Sequence, residues 1–136
     1  MTEYCFPYRE ELSEVFGPIP RPVVEVFLKA QTGRWFRVFA YADSGADFSL
    51  FPKGLCKLLG LELKAGQRNL IQGVSGKPGV VYLHKLEMRI GDTNLNVRVG
   101  FAASERMPYL LGRLDVLDRF DIRFEKNRLC FIEREE

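Results

Sequence analysis

The pattern of apolar residues in this 136-residue chain predicts a single all-β domain. Several runs alternate large apolar side chains with polar ones, which is typical of strands that bury one face. Glycines and prolines separate these runs at positions where turns are expected. A chain of this length can bury roughly two thirds of its unfolded surface in one core.

The composition is that of an ordinary globular protein, with 46% hydrophobic residues, 28% charged residues and a formal net charge of +2. This balance does not favour nucleic acid or an anionic membrane as a partner. No apolar run approaches the length of a membrane span, and the acidic N-terminus does not resemble a signal peptide. We therefore expect a cytoplasmic protein, unless the sequence is a fragment of a longer chain.

The cysteines Cys5, Cys56 and Cys130 are odd in number and far apart. Their spacing matches neither a zinc site nor a disulfide framework. We expect them to be reduced and partly buried, and we expect no metal or other cofactor.

Residues 1–22 are predicted to be an N-terminal arm that precedes the main domain at residues 23–136. Three closely spaced prolines, Pro18, Pro20 and Pro22, exclude a helix and weaken any central strand. A leader packed on the surface is favoured over a removable pro-segment or an arm exchanged between copies, although the sequence alone leaves all three open.

The main domain is predicted to consist of hairpins joined by short helical or irregular segments. The predicted elements, in order, are a hairpin at 23–29 and 35–41, a helical turn or two at 54–59 ended by Gly60, strands at 69–72 and 80–83, a hairpin at 86–90 and 95–101, a loop at 102–108, a strand and short helix at 109–120, and a final hairpin that turns near 126–127.

The strand at 35–41 runs directly into Asp43-Ser44-Gly45-Ala46-Asp47. A carboxylate where a strand leaves the core is costly unless it accepts hydrogen bonds. Ser44 supplies a hydroxyl, and Gly45 allows a backbone N–H to approach the carboxylate because it has no side chain. These residues predict a site in which one carboxylate is held still.

A second candidate site is the glycine-rich tip at 73–79, between two predicted strands. The simplest interpretation is a surface β-turn. The functional interpretation is a flap that closes over a ligand, because such loops need glycine freedom and low local stability.

Three segments, taken in order, resemble signature segments of the retropepsins, the single-domain retroviral-type aspartic proteases. Asp43-Ser44-Gly45-Ala46 is similar to the Asp-Thr/Ser-Gly-Ala loop of that family. Gly73-Val74-Ser75-Gly76 is similar to its flap tip, with Ser75 in place of a glycine and Lys77-Pro78 following. Leu110-Leu111-Gly112-Arg113 is similar to the segment before its last helix. The match spans residues 23–120 and implies a closed, barrel-like β fold with a flap hairpin and one or two short helices.

The resemblance also implies an aspartic endopeptidase, which activates water between two carboxylates that share one proton. Asp-Ser-Gly occurs once in this sequence, whereas Asp92-Thr93-Asn94 lacks the glycine. A dyad then requires Asp43 from each chain of a two-fold homodimer, one acting as general base and the other as general acid.

The remaining roles follow from the same resemblance. Ser44 would hydrogen-bond across the dimer, and Gly45 would offer its backbone to carboxylate and substrate. Asp47 would form a partly buried, bidentate ion pair with Arg113. Gly73, Val74, Ser75 and Gly76 would cover an extended peptide or protein substrate.

Three alternatives stay open. The chain could be a catalytically silent retropepsin-fold module that dimerises and binds peptides. It could be a non-proteolytic β-barrel in which Asp43 only makes a turn. A Ser/His/Asp hydrolase would have to use His84, the single histidine, which lies inside a predicted strand.

Overall fold

The computed structural model describes residues 2–72 and 78–134. Within these ranges the chain is mostly β, with twelve strands, one short α-helix and two 3-10 turns. The strands are β1 (Glu3–Pro7), β2 (Arg9–Ser13), β3 (Gly17–Arg21), β4 (Val23–Lys29), β5 (Trp35–Ala42), β6 (Ser49–Pro52), β7 (Gln67–Gln72), β8 (Pro78–Ile90), β9 (Thr93–Ala102), β10 (Leu110–Leu111), β11 (Phe120–Phe124) and β12 (Arg128–Glu133). The helix is α1 (Lys53–Leu58), and the 3-10 turns are Leu63–Ala65 and Leu117–Arg119.

The largest described sheet closes into a ring. Its strand order is β4-β5-β10-β6-β9-β8-β7, and an additional pairing joins β4 to β8. This closing pairing aligns Phe27 with Arg89 and Leu28 with Met88, and it leaves β7 outside the ring as an extension of β8. The barrel-like β fold predicted from the sequence is thereby confirmed.

The core fills the inside of this ring. Val24, Val26 and Leu28 alternate along β4 and are fully buried, as expected for a strand with one inward face. All four residues of β6 are buried, because both faces of this strand are covered: Phe51 packs in the main core, and Leu50 packs with Val81 and Ala102 in a second apolar cluster. Residues 43–48, which we call the Asp43 loop, therefore connect two strands, β5 and β6, that are anchored in the core.

The predicted hairpins are present. β4 pairs with β5 from Val23↔Tyr41 to Lys29↔Trp35, β8 pairs with β9, and β11 pairs with β12. The predicted helical stretch near residue 54 is α1, and Gly60 follows it with a positive φ of 76°. The short helix predicted before residue 120 is a single 3-10 turn.

The predicted N-terminal arm forms three strands. β1 pairs with the C-terminal strand β12 in the three-stranded sheet β1-β12-β11, and β2 pairs with β3 in a separate hairpin. Pro18 and Pro20 lie in this two-stranded hairpin, where a missing N–H is tolerated because one side of each strand is free. The domain boundary at residue 22 stays a prediction.

The expectation that all the cysteines are reduced is wrong. Cys5 and Cys130 lie opposite each other in β1 and β12 and form a disulfide, with their Cα atoms 4.1 Å apart. The two residues are separated by 125 positions, so spacing alone could not show that the chain ends pair. Cys56 is free and buried, as expected. The cytoplasmic location stays a prediction.

Among the residues that the structure describes, there is no helix with the length and apolar character needed to cross a membrane.

Candidate active site

Asp43 lies immediately after the C-terminal end of β5. Its backbone N–H donates a hydrogen bond of 3.0 Å to the carbonyl oxygen of Leu111. The residues before it, Tyr41 and Ala42, pair in parallel with Leu110 and Leu111 of β10. The start of the loop is therefore fixed by the strand that leads into the third signature segment, Leu110–Arg113.

The Asp43 carboxylate is held by its own loop. The Gly45 N–H donates a hydrogen bond of 3.0 Å to Asp43 Oδ1, and the Ala46 N–H donates one of 3.1 Å to the Asp43 carbonyl oxygen. A Cβ at Gly45 would lie 3.3 Å from Oδ1, so glycine gives the carboxylate the room it needs. Asp43 is half-buried, whereas Ser44 is exposed. The close approach predicted for Gly45 is present.

The end of the loop is bonded to residues 112–114. The Arg113 N–H donates to the Ala46 carbonyl oxygen at 3.0 Å, and the Leu114 N–H donates to the Asp47 carbonyl oxygen at 2.8 Å. These bonds bring together two segments that are more than 60 residues apart in the sequence.

Ser49 adds a buried bond that the sequence patterns do not single out. Its Oγ accepts a hydrogen bond of 3.0 Å from the Gly112 N–H, and the residue is completely buried. A buried backbone N–H without a partner is costly, so this hydroxyl stabilises the meeting point of the two segments. The signal that could have identified it is a lone hydroxyl in the otherwise apolar run Phe48-Ser49-Leu50-Phe51.

Gly112 fits this position because it has no side chain. A Cβ at residue 112 would lie 2.3 Å from the backbone carbonyl carbon and 2.4 Å from the carbonyl oxygen of Phe48. Backbone atoms cannot move aside as the end of a flexible side chain can. The glycine of the third signature segment is thus required by close packing of two backbones.

Asp47 and Arg113 form an ion pair, with Arg113 Nη2 2.5 Å from Asp47 Oδ1. The side chains are 75% and 50% exposed, respectively. The pair is therefore more exposed than the partly buried, bidentate pair expected from the sequence. In a single chain, such an exposed pair contributes about 0–1 kcal/mol to stability.

A second ion pair anchors the same segment to β9. Arg98 donates to both carboxylate oxygens of Asp115, at 2.7 Å from Nε and 3.0 Å from Nη2, and its backbone N–H donates a third bond of 3.0 Å. These hydrogen bonds from Arg98 hold the pKa of the Asp115 carboxyl below its ordinary value, although partial burial opposes the shift. Asp115 has a positive φ of 66°, so this ion pair stabilises an otherwise unfavourable turn.

The predicted flap tip, Gly73-Val74-Ser75-Gly76 with Lys77, lies outside the described residues. The strands on either side of it are described, and β7 pairs with β8 from Gln67↔Leu83 to Gln72↔Pro78. The hairpin that would carry the flap is therefore present, while the covering role of its tip stays a prediction.

His84 lies in β8, as expected. Its Nε2 is 2.9 Å from the carbonyl oxygen of Leu63, and its ring packs edge-on against Phe101. These contacts are with a backbone group and an apolar ring, and they give no support to a Ser/His/Asp triad.

No protein-family model and no curated protein sequence matches this chain. Solved structures do match it. One is a retropepsin-like aspartic protease from Rickettsia conorii, with a TM-score of 0.70 and 17% identity over 96% of this chain and 99% of that one. Another is the EIAV protease complexed with the inhibitor HBY-793, with a TM-score of 0.56 and 21% identity over 72% of this chain and 86% of that one.

These similarities define the class of fold. The chain has the fold of the retropepsin-like aspartic proteases over most of its length. At such low identities the similarity establishes the fold, so the chemistry has to be argued from the residues of the site.

Proposed function

We propose that this protein is an aspartic endopeptidase whose catalytic dyad consists of Asp43 from two copies of the chain. The observation that carries the proposal is the position of Asp43. It follows a core strand, its Oδ1 accepts a hydrogen bond from Gly45, and its loop is bonded to the segment that contains Gly112. In a fold of this class, that arrangement suits a carboxylate that must keep one orientation during a reaction.

The sequence supports the requirement for two copies. Asp43-Ser44-Gly45 occurs once, whereas activation of water by this mechanism needs two carboxylates about 3 Å apart that share a proton. A two-fold axis beside Asp43 supplies the second carboxylate. The proposed active unit is therefore a homodimer, and each chain contributes half of the site.

The proposed reaction uses the two carboxylates in opposite roles. The ionised Asp43 takes a proton from water, which attacks the carbonyl carbon of the peptide bond, while the protonated Asp43 gives its proton to the carbonyl oxygen. The resulting tetrahedral diol collapses when the Asp43 that took the proton from water gives it to the amide nitrogen, the other Asp43 takes a proton from a diol hydroxyl, and the carbon–nitrogen bond breaks, which returns the dyad to its single shared proton. The hydrogen bond from the Gly45 N–H restricts rotation of the Asp43 carboxylate during all of these reaction steps.

The other predicted site residues act around this reaction. We assign to Ser44, which is exposed in the single chain, a hydrogen bond to the partner's loop. We assign to the flap residues Gly73, Val74, Ser75 and Gly76 the covering of an extended peptide, which binds by adding a strand to the site. Because the dyad titrates as a pair, activity should have a bell-shaped pH profile and favour mildly acidic conditions.

The flap sequence favours a second candidate function. Ser75 and Lys77-Pro78 depart from the glycine-rich pattern that the resemblance implies. A module that dimerises and binds peptides without cleaving them would tolerate such a flap.

The decisive experiment compares the wild-type chain with Asp43→Asn on a mixed peptide library between acidic and neutral pH. Asp92→Asn is the matched control, because Asp92 is an exposed acid in a turn that lacks the following glycine. We expect cleavage by the wild type and by the control, and loss of cleavage in Asp43→Asn. Equal cleavage by all three proteins would refute the role of Asp43. Binding without cleavage by the dimeric wild type would establish the second candidate.

A further inference from the structure

The hairpin β2–β3 has an unusually apolar tip. Leu12, Val15 and Phe16 are 82%, 79% and 78% exposed, more than any other large apolar residue that the structure describes. We call these three residues the tip cluster. Soluble monomers seldom display large apolar side chains together at one projecting point, and such clusters mark interaction surfaces. The hairpin pairs with no other described strand, so it gains little from the main sheet.

Two contacts establish where the tip cluster lies. The Arg9 guanidinium stacks over the Phe39 ring at 4.4 Å. The Tyr41 hydroxyl donates a hydrogen bond of 2.6 Å to Glu11 Oε1. Residues 9 and 11 of β2 thus follow residues 39 and 41 of β5, and the two strands run side by side in the same direction.

This direction places the tip cluster at the Asp43 end of the molecule. Asp43 follows the end of β5, two residues after Tyr41, and β2 ends at Ser13, two residues after Glu11 and directly before the hairpin turn. The Ala42 N–H also donates a hydrogen bond of 3.0 Å to the Pro22 carbonyl oxygen, which holds the base of the hairpin beside the end of β5. At about 3.3 Å per residue, the tip extends beyond the level of Asp43.

A further exposed apolar residue lies at this end. Leu114 is partly exposed, and its backbone N–H is bonded to Asp47 in the Asp43 loop. The end of the molecule at which Asp43 lies therefore also presents exposed apolar side chains from two separate segments, the β2–β3 hairpin and the segment that contains Leu114.

We propose that the tip cluster packs against the second copy of the chain in the homodimer. The inference rests on the proposed function, because a dyad brings the two Asp43 carboxyl groups to about 3 Å from each other and therefore places the two loops side by side. Surfaces that flank Asp43 and project beyond it must then face the partner. Apolar side chains in such a position supply binding free energy when they are desolvated, which the exposed ion pair of Asp47 and Arg113 cannot supply alone.

The test replaces Val15 and Phe16 together, as Val15→Ser/Phe16→Ser, and measures the monomer–dimer Kd by sedimentation equilibrium. Leu58→Ser is the matched control, because Leu58 is 56% exposed on α1, a helix that packs mainly against β6 and β9. Loss of two apolar contacts at an interface centre should raise the Kd about tenfold or more, and the control should leave it unchanged. Leu12→Ser is a second variant, with a smaller increase expected, and circular dichroism verifies that each variant is folded.

The outcomes separate this inference from the proposed protease activity. If the Kd rises in the tip variants and the dimeric wild type does not cleave peptides, the inference is supported and the proposed activity is contradicted. An unchanged Kd in folded tip variants overturns the inference, even where the wild type cleaves peptides and Asp43→Asn does not. A raised KM with an unchanged Kd overturns it as well, because the tip would then contact substrate. A wild-type chain that stays monomeric at all concentrations overturns both proposals.

Discussion

The position of Asp43 depends on uncharged residues, which fix the backbone of its loop and of the neighbouring segment. The Gly112 N–H bonds to the buried hydroxyl of Ser49, and the Gly112 Cα lies against the backbone of Phe48. The need for glycine at residue 112 could be anticipated from the resemblance, but its cause could not, because the contact joins residues that are far apart in the sequence.

We predict that Gly112→Ala lowers the free energy of unfolding by about 2–3 kcal/mol, since the added Cβ would overlap backbone atoms and force the loop apart. Gly79→Ala is the control, because a Cβ there meets Ile71 Cγ1 at an ordinary 3.6 Å. Urea unfolding of both variants measures the difference. Equal stability of the two variants would show that the Phe48 contact does not constrain residue 112.

We predict a pH-dependent effect for Asp115→Asn. Hydrogen bonds from Arg98 lower the pKa of the Asp115 carboxyl in the folded chain, so the stabilisation is fully present above the ordinary carboxyl pKa. It is lost as pH falls through the lowered pKa. Asparagine tolerates the positive φ of 66° at this position, so the substitution tests mainly the charge.

At neutral pH the Asp115→Asn variant should melt roughly 3–5 °C below the wild type, and the difference should shrink in acid. Differential scanning calorimetry across this pH range is the measurement. Asp92→Asn, which changes an exposed acid, should have the same melting temperature as the wild type at every pH. A difference for Asp115→Asn that stayed constant into strong acid would contradict the assigned role of its charge.

At the scale of elements, the two chain ends form one sheet. β1 pairs with β12 from Glu3↔Ile132 to Pro7↔Arg128, and the disulfide between Cys5 and Cys130 joins them covalently. Apolar alternation predicts the β11–β12 hairpin because its strands are neighbours in the sequence. It cannot predict that β1 pairs with β12, because any of several strands could accept an apolar N-terminal segment.

We predict that reduction of this disulfide lowers the free energy of unfolding by about 2–4 kcal/mol, since the bond closes a very long loop in the unfolded chain. Urea unfolding with and without a reductant measures the change. Cys5→Ser should abolish the response to reductant, and Cys56→Ala should retain it, because Cys56 is not in the disulfide. Thiol titration of the denatured, unreduced wild type should find one free thiol per chain; three would disprove the disulfide.

For the molecule as a whole, the described fold provides half of the proposed catalytic site. The ring closed by β4 and β8 supports the Asp43 loop in each chain. In the proposed site the second carboxylate comes from another copy, so the proposed activity should depend on association.

We predict that a ninefold excess of Asp43→Asn reduces wild-type peptide cleavage to roughly a tenth, because most wild-type chains would then pair with an inactive partner. Cleavage is measured after the mixed chains have equilibrated, with substrate in excess over all chains. The same excess of an inert protein should leave the rate unchanged. Full activity in the mixture would mean that a single chain is sufficient for catalysis.

The sequence by itself determined the main hairpins after residue 22 and the Asp43 loop, because alternation, glycine and proline act on neighbouring residues. It did not determine the three strands of the N-terminal arm or the buried strand β6. It also supplied the count of one Asp-Ser-Gly segment, on which the proposal of two copies rests. Only the tertiary structure decided which strands close the ring, the disulfide between the chain ends and the direction of the β2–β3 hairpin. It also decided the exposure of the pair formed by Asp47 and Arg113. These features depend on contacts between distant segments, and local sequence patterns do not specify which segments meet or how much solvent remains between them.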